Sequence, residues 1–158
     1  MTENIEGFLV KKSFRELQVW DGVPINDTYG NKPILNYKGK PLFAELFALK
    51  LYNEKGYNGV WVDTFKRKFR TELPENKEST ILLPEFIQEK LNTINPSGKM
   101  SGTWDLILWK GNKIEFVELK RKGKDKIRNT QIEFLKRALN AEIEIDNFEI
   151  FEWSEVNS

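Results

Sequence analysis

The 158-residue chain contains no cysteine and no histidine. Without cysteine there is no disulfide framework, and thiols say nothing about compartment. Without histidine, Ser-His-Asp and Cys-His triads, thiolate or imidazole zinc sites and imidazole acid–base chemistry are all excluded. Any catalytic metal would have to be held by oxygen ligands, a donor set that favours magnesium or manganese. Long apolar runs are also lacking. No stretch approaches a membrane span, and the N-terminus has no basic segment followed by an apolar one. A cytoplasmic protein with no membrane partner is the expectation.

What is present suits one globular domain over residues 1–158: 39% hydrophobic and 31% charged residues, with length enough to bury a core. The net charge of +1 hides a segregation of charge. Residues 99–140 carry eleven Lys/Arg against five Asp/Glu, whereas residues 141–158 carry six acids and no base. The densest basic stretch is Lys120, Arg121, Lys122, Lys124, Lys126 and Arg128, interrupted by Asp125. A smaller one is Lys66, Arg67, Lys68 and Arg70. Such blocks suit a polyanion, or else a solvated loop.

Residues 1–40 read as short strands and turns: Phe8-Leu9-Val10 and Leu17-Gln18-Val19-Trp20, then Asn26-Asp27, Gly30-Asn31 and Lys38-Gly39. From Pro41 to Lys55 the spacing of Leu42, Leu46, Leu49 and Tyr52 predicts a helix, with Pro41 in its first turn and Gly56 ending it. Residues 60–65 predict a strand, and Leu83-Pro84 opens a short helix to about Leu91. Thr103–Trp109 and Ile114–Lys120 predict a hairpin across Gly111-Asn112. An amphipathic helix over Arg128–Leu139 and a strand over Phe148–Trp153 complete the chain. This order of elements predicts a mixed sheet flanked by helices, an α/β (α+β) class.

The hairpin register brings chemistry together. A two-residue turn pairs Lys110 with Lys113 and Trp109 with Ile114, so Leu106 meets Val117 and Asp105 meets Glu118. Opposed residues have Cβ atoms roughly 4.5–5.5 Å apart, where like charges repel. Alternation puts Lys120 on the face of Glu118. Two carboxylates opposed on apolar strands make sense with a cation between them, and Lys120 could then orient or help activate a water. A solvated strand face with Asp105 at its edge is the other reading. Glu45 shares a helix face with Leu42, Leu49 and Tyr52 and wants a partner; a metal is one, a local hydrogen bond another. Gln131 shares a face with Phe134, Leu135 and Ala138 and could bond into the site or cap the preceding loop.

The stretch Gly102-Thr103-Trp104-Asp105-Leu106-Ile107-Leu108-Trp109, then Phe116-Val117-Glu118-Leu119-Lys120, then Gln131-Ile132-Glu133-Phe134-Leu135, resembles the PD-(D/E)XK nuclease superfamily. Within it the likeness is to the VRR-NUC group, which occurs as stand-alone proteins and as the C-terminal part of the Fanconi-associated nuclease. The resemblance spans about Leu42 to Trp153 and is specific from Gly102 to Leu139. It implies a restriction-endonuclease-like αβββαβ core over residues 41–153, with a β-rich extension at residues 1–40 and an inserted helix. It also implies that Asp105, Glu118 and Glu45 hold Mg2+ or Mn2+, that Lys120 assists catalysis, and that Gln131 is the group's helical glutamine. Trp104 stands where the motif has proline, and Arg121-Lys122-Gly123-Lys124 replaces the usual Gly-Pro. Residues 1–40 and 66–101 match nothing in the group.

The expectation is metal-dependent hydrolysis of DNA phosphodiesters, on branched, flapped or junction DNA as in small relatives, which often act as homodimers. Lys122, Lys124, Lys126 and Arg128, with Lys66 and Arg67, would grip the backbone. Residues 1–40 could clamp substrate or meet a protein partner; Trp20, Tyr29 and Tyr37 could stack bases or fill a small β layer. The rival readings are a non-catalytic binding module on the same fold and a subunit active only within a larger complex.

Overall fold

The computed structural model describes residues 1–25, 29–76 and 78–157. The predicted Asn26-Asp27 turn lies outside the described residues. Nine strands are described: β1 (Thr2–Ile5), β2 (Phe8–Gln18), β3 (Leu35–Tyr37), β4 (Lys40–Leu42), β5 (Asn58–Asp63), β6 (Lys68–Arg70), β7 (Leu106–Lys110), β8 (Lys113–Arg121) and β9 (Phe148–Val156). Three α-helices join them: α1 (Ala44–Glu54), α2 (Glu85–Ile94) and α3 (Asn129–Asn140). Seven strands form one mixed sheet in the order β1-β2-β9-β8-β7-β5-β6, and β3 pairs with β4 separately. The mixed α/β class is as expected.

The central strands are apolar on both faces because both faces are covered. Alternation sends Leu106, Leu108, Val117, Leu119, Phe151 and Trp153 towards α1, where they pack with Leu46 and Leu49. Ile107, Trp109, Phe116 and Ile150 face the other way, onto Ile132, Phe134 and Leu135 of α3 and Ile87 of α2. The Gly111-Asn112 turn sets the register: Lys110 pairs with Lys113, Trp109 with Ile114 and Leu106 with Val117. Gly111 adopts φ 60°, the left-handed value that the first position of a type II′ hairpin turn requires.

Several boundaries differ from expectation. Pro41 does not open a helix: the Lys38-Gly39 turn makes a hairpin, Pro41 pairs with Asn36 in β4, and α1 begins at Ala44. Phe8 to Gln18 is one long strand, because β9 runs parallel beside it from Lys11 to Gln18 and satisfies its backbone. β5 ends at Asp63, and the basic stretch after it turns into β6, a strand that the sequence pattern does not predict. α2 starts at Glu85 and runs on to Ile94, while β7 starts at Leu106, one residue beyond Asp105. Residues 1–18 are integral to the large sheet, adding two strands beside β9.

A buried ion pair ties down the β5–β6 hairpin. Asp63 Oδ2 accepts from Arg70 Nε at 2.9 Å, and Arg70 also donates to Ser79 Oγ at 2.7 Å. Asp63 Oδ1 accepts from the Lys66 amide at 3.0 Å and from the Tyr29 hydroxyl. Burial opposes the charge on Asp63, yet the bonds from Tyr29, Arg70 and Lys66 outweigh it and hold the carboxyl below its ordinary range. That stabilisation is present above the unfolded carboxyl pKa and is lost on acidification. Arg70→Met should leave a buried unpaired carboxylate and cost about 3–5 kcal/mol in urea unfolding at neutral pH. A loss below 1 kcal/mol would show that the hairpin stands without the pair.

Candidate active site

At the end of the β7–β8 ladder the strands part, and two side chains continue the contact. The Asp105 amide donates to Glu118 Oε1 at 3.0 Å, and the Leu119 amide donates to Asp105 Oδ2 at 2.9 Å. Each carboxylate thus takes a backbone donor from the opposite strand, so the pair is crossed and fixed. The Asp105 carbonyl accepts from the Val62 amide at 2.8 Å, locking the same residue to β5.

Gln131 performs both functions open to it. The Arg128 amide donates to Gln131 Oε1 at 2.9 Å, which caps the start of α3. That bond requires the amide nitrogen to face the other way, where it donates to Glu118 Oε2. The backbone of Gln131 accepts a bond of 3.0 Å from the Trp104 indole, itself fully buried against Phe148. Trp104 therefore clamps α3 to the residue that precedes Asp105. Gly102 allows the close approach: it has φ 82°, and a Cβ there would lie 2.3 Å from the Thr130 carbonyl oxygen.

The acids line a cleft of about 700 Å³ that also holds Lys32, Lys120, Lys124, Lys126 and Arg128. Burial, then the charge of Glu45, pushes the Asp105 carboxyl up to about 7. Burial, then Asp105 itself, likewise raises Glu118. Glu45, from the first turn of α1, is 9% exposed, and its Oε2 is buried. That oxygen lies 2.7 Å from Lys32 Nζ, a charge-assisted contact at hydrogen-bond distance. Among the described residues no three acids are gathered closely enough to share an ion as they stand. The donor set still fits a hard divalent cation: carboxylates only, two of them crossed and a third, Glu45, lining the same cleft from α1.

Lys120 Nζ lies 3.0 Å from both carboxylate oxygens of Glu3 on β1. Lys12 joins the same glutamate at 3.0 Å and reaches Glu152 at 3.3 Å. Of the expected nucleic-acid contacts, Lys124, Lys126 and Arg128 line the cleft, whereas the Lys122 ammonium lies over the Phe14 ring at 5.1 Å. Arg67 lines an adjoining groove with Phe65, Lys99, Asp105 and Arg128, and Lys66 Nζ lies 5.4 Å from the centre of the Phe65 ring. Tyr29 packs against Trp61 and Phe43, and Tyr37 against Phe47, so both fill the layer around α1. Trp20 bonds the Val23 carbonyl at 2.9 Å. Lys32 and Glu3 went unread in the sequence. Each lies in a segment without periodicity, and only the β1–β2 pairing and the turn before β3 bring Glu3 to Lys120 and Lys32 into the cleft.

Comparison of the chain with protein-family models, with curated proteins and with solved structures finds no match.

Raised carboxyls make the fold sensitive to base. Between the ordinary Asp value of 3.8 and about 7, the folded state holds a proton on Asp105 that the unfolded chain has released. Stability therefore falls as pH rises through that window. Asp105→Asn, which can still accept the Leu119 amide, should melt several degrees above the wild type at pH 8 with chelator present. At pH 4 the two should coincide. Equal melting temperatures at both pH values would mean that Asp105 is not strained by its surroundings.

Proposed function

We propose that this chain is a divalent-metal-dependent nuclease that hydrolyses DNA phosphodiesters on a restriction-endonuclease-like core of the PD-(D/E)XK kind. The observation that carries the reading is the crossed Asp105–Glu118 pair at the floor of a cleft rimmed by Lys124, Lys126 and Arg128. Two acids forced together with raised pKa values are costly unless a cation offsets their repulsion, and the basic rim suits the polyanion that would bring the scissile phosphate. The order α1, β5, β7, β8, α3, β9 supports the core assignment, with β6 and α2 inserted after β5.

Asp105 and Glu118 would hold Mg2+ or Mn2+, with Glu45 as a third ligand; a cation held there supplies Lewis-acid activation of water and phosphate. Gln131 keeps the Glu118 carboxylate turned towards Asp105. Lys120, at the cleft wall, would orient the attacking water and meet the charge that develops on phosphate. The backbone of the DNA would run from Lys124 and Lys126 past Arg128 into the adjoining groove at Arg67 and Lys99, which shares Asp105 and Arg128 with the cleft. Phe65, 80% exposed at the mouth of that groove, could stack on an unpaired base. This favours substrates with single-stranded segments, such as flaps and branches.

A second reading, a non-catalytic nucleic-acid-binding module, is favoured by one observation: the ammonium of Lys120 is already engaged by Glu3. Incubation with single-stranded, duplex, flapped and four-way DNA, with and without Mn2+, separates the two. Metal-dependent cleavage should fall about 100-fold or more in Asp105→Ala and in Lys120→Ala. Replacing Lys124 and Lys126 by alanine should weaken binding and lower the log–log salt slope by about 0.7–0.9 for each phosphate that is no longer neutralised. Binding without cleavage on every substrate would establish the module, and cleavage that persists in both active-site variants would rule out this site.

A further inference from the structure

We propose that Lys32 is a resident counter-ion that occupies the place of the divalent cation beside Glu45, and that metal binding displaces its ammonium. The inference rests on the metal site of the proposed nuclease and names the control built into it. Lys32 is no loose surface lysine. It follows three consecutive residues in the left-handed region, Tyr29 (φ 47°), Gly30 (φ 77°) and Asn31 (φ 65°). Glycine and asparagine tolerate that region; tyrosine does not, and it persists only when its surroundings over-determine it. Here they do: the Tyr29 hydroxyl is bonded to buried Asp63, and its ring packs edge-on to Trp61 at 5.4 Å. On the far side of Lys32, the Ile34 carbonyl accepts from the Trp20 amide at 3.0 Å, and Leu35 bridges to Val19.

This anchored turn aims the Lys32 ammonium at Glu45, 2.7 Å away, with Nζ 5.9 Å from the centre of the Trp61 ring. Glu45 Oε2 is buried, and the ammonium is the cation that it meets. Lys32 lines the same cleft as Asp105 and Glu118, so its ammonium stands among all three acids. Lys120, another lysine lining the cleft, is held by Glu3 instead. Glu45, Asp105 and Glu118 are not gathered closely enough to share an ion as they stand. A divalent cation brings twice the charge and takes several ligands at once, so it would win the acids and release Lys32 to the cleft, where its charge remains available to a phosphate.

Displacement carries a penalty that shows in metal affinity. If the ammonium fills the seat in about nine molecules of ten, its removal should tighten apparent binding about tenfold. Mn2+ binding to the full chain is therefore measured by calorimetry for the wild type, Lys32→Met and Lys32→Arg, with thermal melts to establish folding. Methionine keeps the apolar stem against Trp61 and removes the charge. Lys32→Met should bind Mn2+ about tenfold more tightly, and Lys32→Arg should stay near the wild type. Adding Asp105→Asn to Lys32→Met should abolish the gain. Equal or weaker binding by Lys32→Met, with the wild type binding Mn2+, would overturn the role of Lys32 and leave the metal site standing. No binding by any folded variant would remove the metal site and this inference with it. If Lys32→Met proves unfolded, Lys32→Gln is read by the same criteria.

Discussion

Asp105 and Glu118 hold each other in place through backbone amides of opposite strands, and the rest of the molecule is arranged around that crossing. The β7–β8 hairpin sets their register, and β5 holds the carbonyl of Asp105. Gln131 donates to the second oxygen of Glu118 while closing the first turn of α3. Trp104 then pins α3 down one residue before Asp105. Every one of these bonds belongs to a buried or half-buried group, so water cannot readily replace them, and the two acids have nowhere to relax. A pair of carboxyls kept together at such cost is the ground on which a cationic ligand is proposed.

Charge balance around the pair comes from the N-terminal strands and the turn that follows them. Glu3 meets Lys120, Lys12 links Glu3 to Glu152, and Lys32 meets Glu45. The region that matches nothing in the VRR-NUC pattern thus supplies partners for both the expected catalytic lysine and the expected third metal ligand. These pairs are partly exposed and individually worth little to stability. Their consequence lies in poise: any ion entering the cleft has to compete with charges already in place.

The hairpin register was legible because Gly111-Asn112 leaves few alternatives and because a slip by one residue would turn every apolar side chain of β7 and β8 to the wrong face. The inward face of α3 was legible for a similar reason, since Gln131, Phe134, Leu135 and Ala138 recur at helical spacing. The start of α1 was misread because Pro41 suits a first helical turn and an edge strand equally well, and pairing with Asn36 chose between them. The length of β2 was underestimated because Lys11 to Glu16 is mostly polar. A strand that borrows its backbone bonds from a parallel neighbour at the opposite end of the chain leaves no local trace.

By itself the amino-acid sequence determined the absence of thiol and imidazole chemistry, the oxygen-only donor set, the facing of Asp105 and Glu118, and the apolar periodicity of α3. All of these depend on composition or on spacing within a short stretch of chain. Only the tertiary structure decided that Glu3 would reach Lys120, that Lys32 would stand against Glu45, and that Arg128 would join two grooves into one track. Those contacts join segments far apart in the chain, and no repeat distance encodes them. They follow from the packing of two sheet edges and a strained turn around the same cleft.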